Sequence, residues 1–198
     1  MSVGIRIALK AYASLRDVQT FAWNQNLNIV EVTREDETPT RFGWETCDET
    51  TSLDYLEDPI LGVSYVTIRG ERIAHLSEAV RTGLATWTFQ DGMRLISAGN
   101  DSDAIIQGVY VGAISATRKD VPVVSEAFRS VIRHPDREVR RAVLVGIGYV
   151  TVGTELREIA KEIRNSDQDE GIRVDAGYLL EGLEMASAAP VADDDDAL

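Results

Sequence analysis

The stretch HPDREVRRAVLVGIGYV, His134 to Val150, decides how this chain folds. Val139, Ala142, Val143, Gly146, Ile147 and Val150 fall on one apolar stripe at helical spacing. Pro135 and Asp136 stand just before it, where a turn ends and a helix begins. A carboxylate there accepts from the free N–H groups of the first turn. Arg140 and Arg141 fall outside the stripe.

The same pattern recurs on both sides. DAIIQGVYVGAIS, DREVRRAVLVGIG and DEGIRVDAGYLLE start at Asp103, Asp136 and Asp169, each 33 residues after the last. Ile106, Val139 and Ile172 keep one register, and Ile73 keeps it upstream, with Gly70 where the Asp would stand. A fixed period in this range is the mark of stacked helical hairpins. Each unit has a second helix. In ELREIAKEIRN, Leu156, Ile159, Ala160 and Ile163 face inward and Thr154 is the expected N-cap. In VPVVSEAFRSVIR, Val124, Ala127, Phe128 and Val131 face inward, Asp120 is the expected cap, and Pro122 is tolerated in a first turn. Gly108, Ala113, Ala142, Gly146, Ala176 and Gly177 lie in the first helices. Glycine costs a helix about 0.5–1 kcal/mol against alanine, so its repeated use predicts close packing.

These residues carry a resemblance. HPDREVRRAVLVGIG resembles the HEAT-repeat pattern, in which an Asp-Pro-type loop precedes Val-Arg and a small, apolar helix. QDEGIRVDAGYLL matches it through Ile172-Arg173, while SDAIIQGVYVGAI has Gln107 in place of the arginine. The resemblance covers about residues 71–185. It implies a short α-solenoid, a form that holds another protein on an exposed helical face. His-Pro-Asp is also the signature loop of J-domain co-chaperones, which carry a basic helix before it. Here SEAFRSVIR precedes it, with two arginines and a glutamate, and the repeat explains Pro135 and Asp136 without that role. His134 is therefore expected to be a loop residue.

The first third follows another rule. VGIRIALKAYA sets Val3, Ile5, Ile7, Leu9 and Ala11 on one side and Arg6, Lys10 and Tyr12 on the other, the period of a strand. SLRDVQTFAWNQN places Leu15, Val18, Phe21 and Ala22 at helical spacing after Ser14, a cap. LNIVEVTRE, TRFGWET, TSLDYLE and GVSYVTIRG read as further strands, the middle two joined across CDET. The expected fold is α+β. A small N-terminal sheet domain with one helix, residues 1–70, precedes a HEAT-like hairpin stack, residues 71–185, and an acidic, disordered tail, residues 186–198. A sheet with one open face suits the capping of a solenoid end. Phe42, Trp44, Tyr55 and Tyr65 are expected on its core face.

Composition narrows function. The net charge of −13, from 33 acids and 20 bases, repels nucleic acid and anionic membrane surfaces and favours a basic partner. No run of 18 apolar residues suggests a membrane span, and MSVGIRIALKAY lacks the basic start and long apolar run of a secretory signal. The single cysteine, Cys47, cannot form an internal disulfide or a multi-cysteine zinc site, and a cytoplasmic location is expected. Its setting, ETCDET, is acidic and unsuited to a nucleophile. His75 and His134 are far apart and lack ligand spacing, and no phosphate-loop, dinucleotide or hydrolase motif occurs. No cofactor is implied. The leading expectation is a non-catalytic protein-binding module, in its sharpest form an acidic bacterial immunity-type inhibitor of a basic protein. Its contact residues are expected to be Trp87 as an anchor, for which core packing is an equal alternative, with Glu126, Arg129, Glu155, Glu158 and Glu162 on the second helices. The alternatives are an enzyme-assisting protein, such as the bilin lyases among HEAT-like proteins, and a structural homodimer formed through Trp87 or the sheet edge. The lyase alternative requires an aromatic groove with a histidine and a carboxylate partner.

Overall fold

Residues 4–33, 40–99, 101–150 and 153–188 are described by the computed structural model of the chain. The first third runs Ile5–Ala8 (β1), Leu15–Asn24 (α1), Asn28–Val32 (β2), Thr40–Glu45 (β3), Thr51–Asp58 (β4) and Val63–Gly70 (β5). That is the expected β-α-β-β-β-β order. All the pairings are antiparallel, in the order β1-β5-β4-β3-β2. Local chemistry fixes the corners. Ser14 and Asp17 form a reciprocal capping box that starts α1. At the β3–β4 turn, the Thr46 and Thr50 hydroxyls donate to Asp48, and these bonds hold its carboxyl down at about 2.

The sheet is covered on both faces. On one, Ile7, Leu53, Tyr55, Val66 and Ile68 pack with Val18 and Phe21 of α1. Helix Ile73–Gly83 (α2) joins that face through Leu76 and Val80, so Ile73 belongs to the sheet's core and not to the row of repeats. Trp44 and Tyr55 are buried in the same layer, with Phe42 packed against it. The opposite face presents Ala8, Val63 and Tyr65 to the helical stack.

The stack consists of Phe89–Ala98 (α3), Ser102–Ser115 (α4), Val121–Val131 (α5), Arg137–Tyr149 (α6), Thr154–Ser166 (α7) and Glu170–Ala188 (α8). Helices α4, α6 and α8 lie side by side in one row, and α3, α5 and α7 form a second row against it. Successive helices therefore alternate between layers, as a run of hairpins does. One continuous core fills the space between the rows, with Val109, Phe128, Ile147, Ile159 and Ile172 fully enclosed. Helix α4 begins the row of α4, α6 and α8 and also packs on β1 and β5, so the sheet covers the first end of that row. The Tyr149 hydroxyl of α6 donates to Asp58 at the end of β4, a second tie between the two parts.

Several local expectations shift. In α4 the enclosed residue is Ile105, with Ile106 half-buried, so equivalent core positions fall 34 residues and then 33 residues apart, at Ile105, Val139 and Ile172. Asp101 caps α4 in place of the aligned Asp103, while Asp136 caps α6 as expected. Gly153 is the N-cap of α7, and Thr154 its first residue. The close approaches lie where α3 crosses α4. A Cβ on Gly92 would meet the Gly112 nitrogen at 2.7 Å, and one on Gly108 the Gly92 oxygen at 2.8 Å. Gly177 faces open space instead, and its small size serves no contact among the described residues. Ala186–Ala188 continue α8, and the rest of the expected tail lies outside the described residues.

Candidate protein-binding face

Five of the six expected contact residues lie on two adjacent helices. Glu126 and Arg129 are exposed on α5, and Glu155 and Glu158 are exposed on its neighbour α7. Glu162 is half-buried and takes Arg133 from the end of α5 at 3.1 Å, bridging the two helices. Lys161 pairs with Glu158 at 2.8 Å along α7. The inward stripes Val124–Phe128 and Leu156–Ile159–Ile163 point these charges outward, so one amphipathic pattern sets both the core and the face. Val123, 49% exposed, adds an apolar point beside them. Exposed pairs of this kind contribute at most about 1 kcal/mol each to stability.

Trp87 is corrected. It is half-buried among Ala8, Tyr65 and Val111, where the sheet meets the stack. Its backbone N–H donates to the Ala8 carbonyl at 2.9 Å, extending the edge of β1, and the Lys10 ammonium sits 5.0 Å above its ring. It joins the two parts of the molecule and leaves the outer face without an aromatic anchor.

The loop edge of the face is held by a buried ion pair. Arg140 falls outside the apolar stripe yet is buried: its side chain is 3% exposed and clamps Asp167, 1% exposed, in the loop before α8. Arg140 Nε donates to Asp167 Oδ2 at 2.8 Å and Nη2 to Oδ1 at 3.1 Å, while Nη1 donates to the carbonyls of His134 and Pro135. Asp167 also accepts from the Asp169 N–H at 2.8 Å. Burial pushes the Asp167 carboxyl up, but the Arg140 bonds, the Asp169 N–H and the nearby charges together outweigh it and hold it below the usual carboxylate range. Arg173 repeats the motif one unit on, donating to the Asp167 carbonyl at 2.7 Å. The recurrence of Val139-Arg140 as Ile172-Arg173 was the signal for this clamp.

Next to the clamp lies a shallow cleft of about 430 Å³, walled by Ile132, Arg133, His134, Pro135, Ile163 and Gln168. His134 Nδ1 accepts from the Asp136 N–H, and Asp136 accepts from the Glu138 N–H at 2.9 Å. The His-Pro-Asp loop is thus a helix start built on its own hydrogen bonds. The cleft has no aromatic wall, and its carboxylate, Asp167, is already committed to Arg140. It is not the groove that a lyase-like role requires. His75 is exposed on α2, and Cys47 is exposed with its sulfur 3.6 Å from the Asn26 carbonyl oxygen. Among the described residues no group of three His, Cys, Asp or Glu side chains is placed to hold a metal ion, and no helix is long and apolar enough to cross a membrane. No protein-family model, no curated protein and no solved structure matches this chain.

Proposed function

We propose that the chain is a HEAT-like, non-catalytic module that holds another protein on the outer face of α5 and α7. The observation that carries this reading is the gathering of Glu126, Arg129, Glu155, Glu158 and Glu162 on adjacent helices above a fixed loop edge. A rigid helical platform with exposed, loosely paired charges suits docking without chemistry. The chain's charge of −13 favours a basic partner, and an immunity-type inhibitor of such a protein is the sharpest form of the proposal. The test is retention of a basic protein from the native lysate at low salt by the wild type. The triple variant Glu126→Lys, Glu155→Lys, Glu158→Lys should lose that protein. Equal retention by both would sink the α5–α7 assignment, and retention of nothing basic would remove the basic partner.

A second reading is self-association through the sheet edge. Strand β2 is the outer strand of the sheet, and Ile29, Val30 and Val32 on it are 55–56% exposed. Apolar side chains on an open edge favour strand pairing between copies. Light scattering at two protein concentrations, on the wild type and Val30→Lys, separates this reading from a monomeric platform.

A further inference from the structure

A cleft of about 420 Å³ opens along the free edge of β1, between the last turn of α2 and the end of α4. Arg6, Arg81 and Arg118 line it, and no carboxylate does. Among the described residues none of the three forms an ion pair, although most of the other arginines do. Arg6 is partly buried, with a carbonyl as its acceptor: Nη2 donates to the Tyr149 oxygen at the end of α6. Burial pushes its guanidinium below the usual arginine value, the mark of a cation without a nearby carboxylate. The Ser115 hydroxyl, on the wall of the cleft, is buried with no hydrogen-bond partner among the described residues.

Helix ends account for only part of this charge. α2 and α4 finish at the cleft and Arg6 reaches the last carbonyl of α6, each helix end presenting about −0.5 of a charge. Three guanidiniums against roughly −1.5 leave about +1.5 uncompensated. A phosphate monoester carries about −1.5 to −2 near neutral pH and matches that remainder. The cleft is larger than a bare phosphate needs, and Ile5 and Ala116 give it an apolar wall. The register adds a donor. Ala8 and Lys10 use their outward backbone groups on Trp87 and Ala85, so Arg6, two residues earlier, turns its own N–H to the same edge.

We propose that this cleft binds a small organic phosphate, its phosphoryl group held by Arg6, Arg81, Arg118 and the Ser115 hydroxyl and its organic part against Ile5 and Ala116. The site is separate from the α5–α7 face and does not depend on it. The whole chain carries a strong negative charge, so a pocket with the opposite sign selects its anion locally and at short range.

The test is titration calorimetry of the full chain with phenyl phosphate and with inorganic phosphate, at fixed ionic strength near neutral pH. The expected result is saturable binding of one phenyl phosphate per chain, tighter than inorganic phosphate. Arg81→Gln and Arg118→Gln, both on exposed side chains, should each weaken it about tenfold and together about a hundredfold. Arg164→Gln, exposed on α7, should leave it unchanged. Lowering the pH through about 6 should weaken binding as the phosphate takes up a proton. Absence of saturable binding would overturn the proposal, as would an unchanged Kd in the double variant or an equal loss in Arg164→Gln. Equal affinity for the two probes would overturn the organic part.

Discussion

Replacing Arg140 by Met tests whether one buried ion pair joins the second and third hairpins. Methionine fills much of the same volume and removes the charge and every donor. The variant loses two bonds to Asp167, at 2.8 and 3.1 Å, and two more to the carbonyls of His134 and Pro135, at 2.8 and 3.1 Å. Asp167 stays enclosed with one N–H, from Asp169, on its carboxylate. Removing one partner of a buried pair costs about 3–5 kcal/mol, because the other charge is left uncompensated. For a chain of this size that corresponds to a drop in Tm of about 10 °C. Urea unfolding followed by far-UV circular dichroism gives the free energy directly. The pH dependence has a definite sign. In the wild type the Asp167 pKa is depressed in the folded state. Its contribution is therefore fully present above the unfolded carboxylate value of about 3.9 and is lost as pH falls through the lower folded value. In Arg140→Met burial is no longer offset, so the folded pKa rises above the unfolded one, and that variant becomes more stable as the carboxyl protonates. The gap between the two proteins should narrow from about pH 7 to about pH 4.5. Adding Asp167→Asn should recover at least about 1 kcal/mol relative to the sum of the single changes. A loss below about 1 kcal/mol in Arg140→Met, or strict additivity in the pair, would show that the clamp is not what fixes this edge.

Other outcomes follow from the same coordinates. Gly108→Ala should destabilise by about 1–3 kcal/mol, because the new methyl meets backbone of α3 that cannot give way, read by urea unfolding. Gly177→Ala, in open space on α8, should stabilise by about 0.5–1 kcal/mol in the same assay, and a loss there would place a neighbour on that helix. Tyr149→Phe removes the bond to Asp58 that ties the stack to the sheet and should cost about 1 kcal/mol, seen as a lower Tm. Trp87→Ala should cost about 3–5 kcal/mol in unfolding experiments and leave retention of any partner on α5 and α7 intact in the surviving folded fraction.

Much of the architecture could be read from periodicity, because each part of the chain follows one clear rule. Alternation in VGIRIALKAYA and GVSYVTIRG, with the CDET turn, marks the strands along the chain but not their order in the sheet. The paired stripes of α5 and α7 likewise fixed which side of each helix faces out, and so which charges share a face. Where two rules compete, the pattern misleads. Ile105 and Ile106 are adjacent isoleucines, and only packing against α3 and α6 selects Ile105 for the core. Arg140 looks like a surface residue because it is charged, yet its partner lies 27 positions later, beyond any helical or strand period. Trp87 falls between helices in the sequence, where local pattern does not decide between exposure and packing. Its burial depends on β1 returning to lie beside it. Arg6, Arg81 and Arg118 share no local signal at all, since they meet only because the chain's first strand forms the edge that α2 and α4 flank.

The position of β1 also explains why one chain combines a sheet with a hairpin stack. A row of packed helices leaves an apolar face at each end, and burying that face is favourable in water. Here α4 buries Val111 and Ile114 against Ala8 and Tyr65, so the sheet takes the place of a preceding repeat. That arrangement requires both sheet faces to be apolar near β1 and β5, and it explains why β5 is enclosed on both sides while β2, farthest from the stack, is not. It also leaves the far end different in kind. Helix α8 has no such cover among the described residues, and Val174, Tyr178 and Met185 on it are 47–74% exposed. A capped first end and a bare last end give the stack a direction, and a partner of the proposed kind would either extend the row at α8 or dock sideways on α5 and α7. Substitutions at Tyr178 and at Glu155 therefore separate the two modes: the first should weaken only extension of the row, and the second only sideways docking.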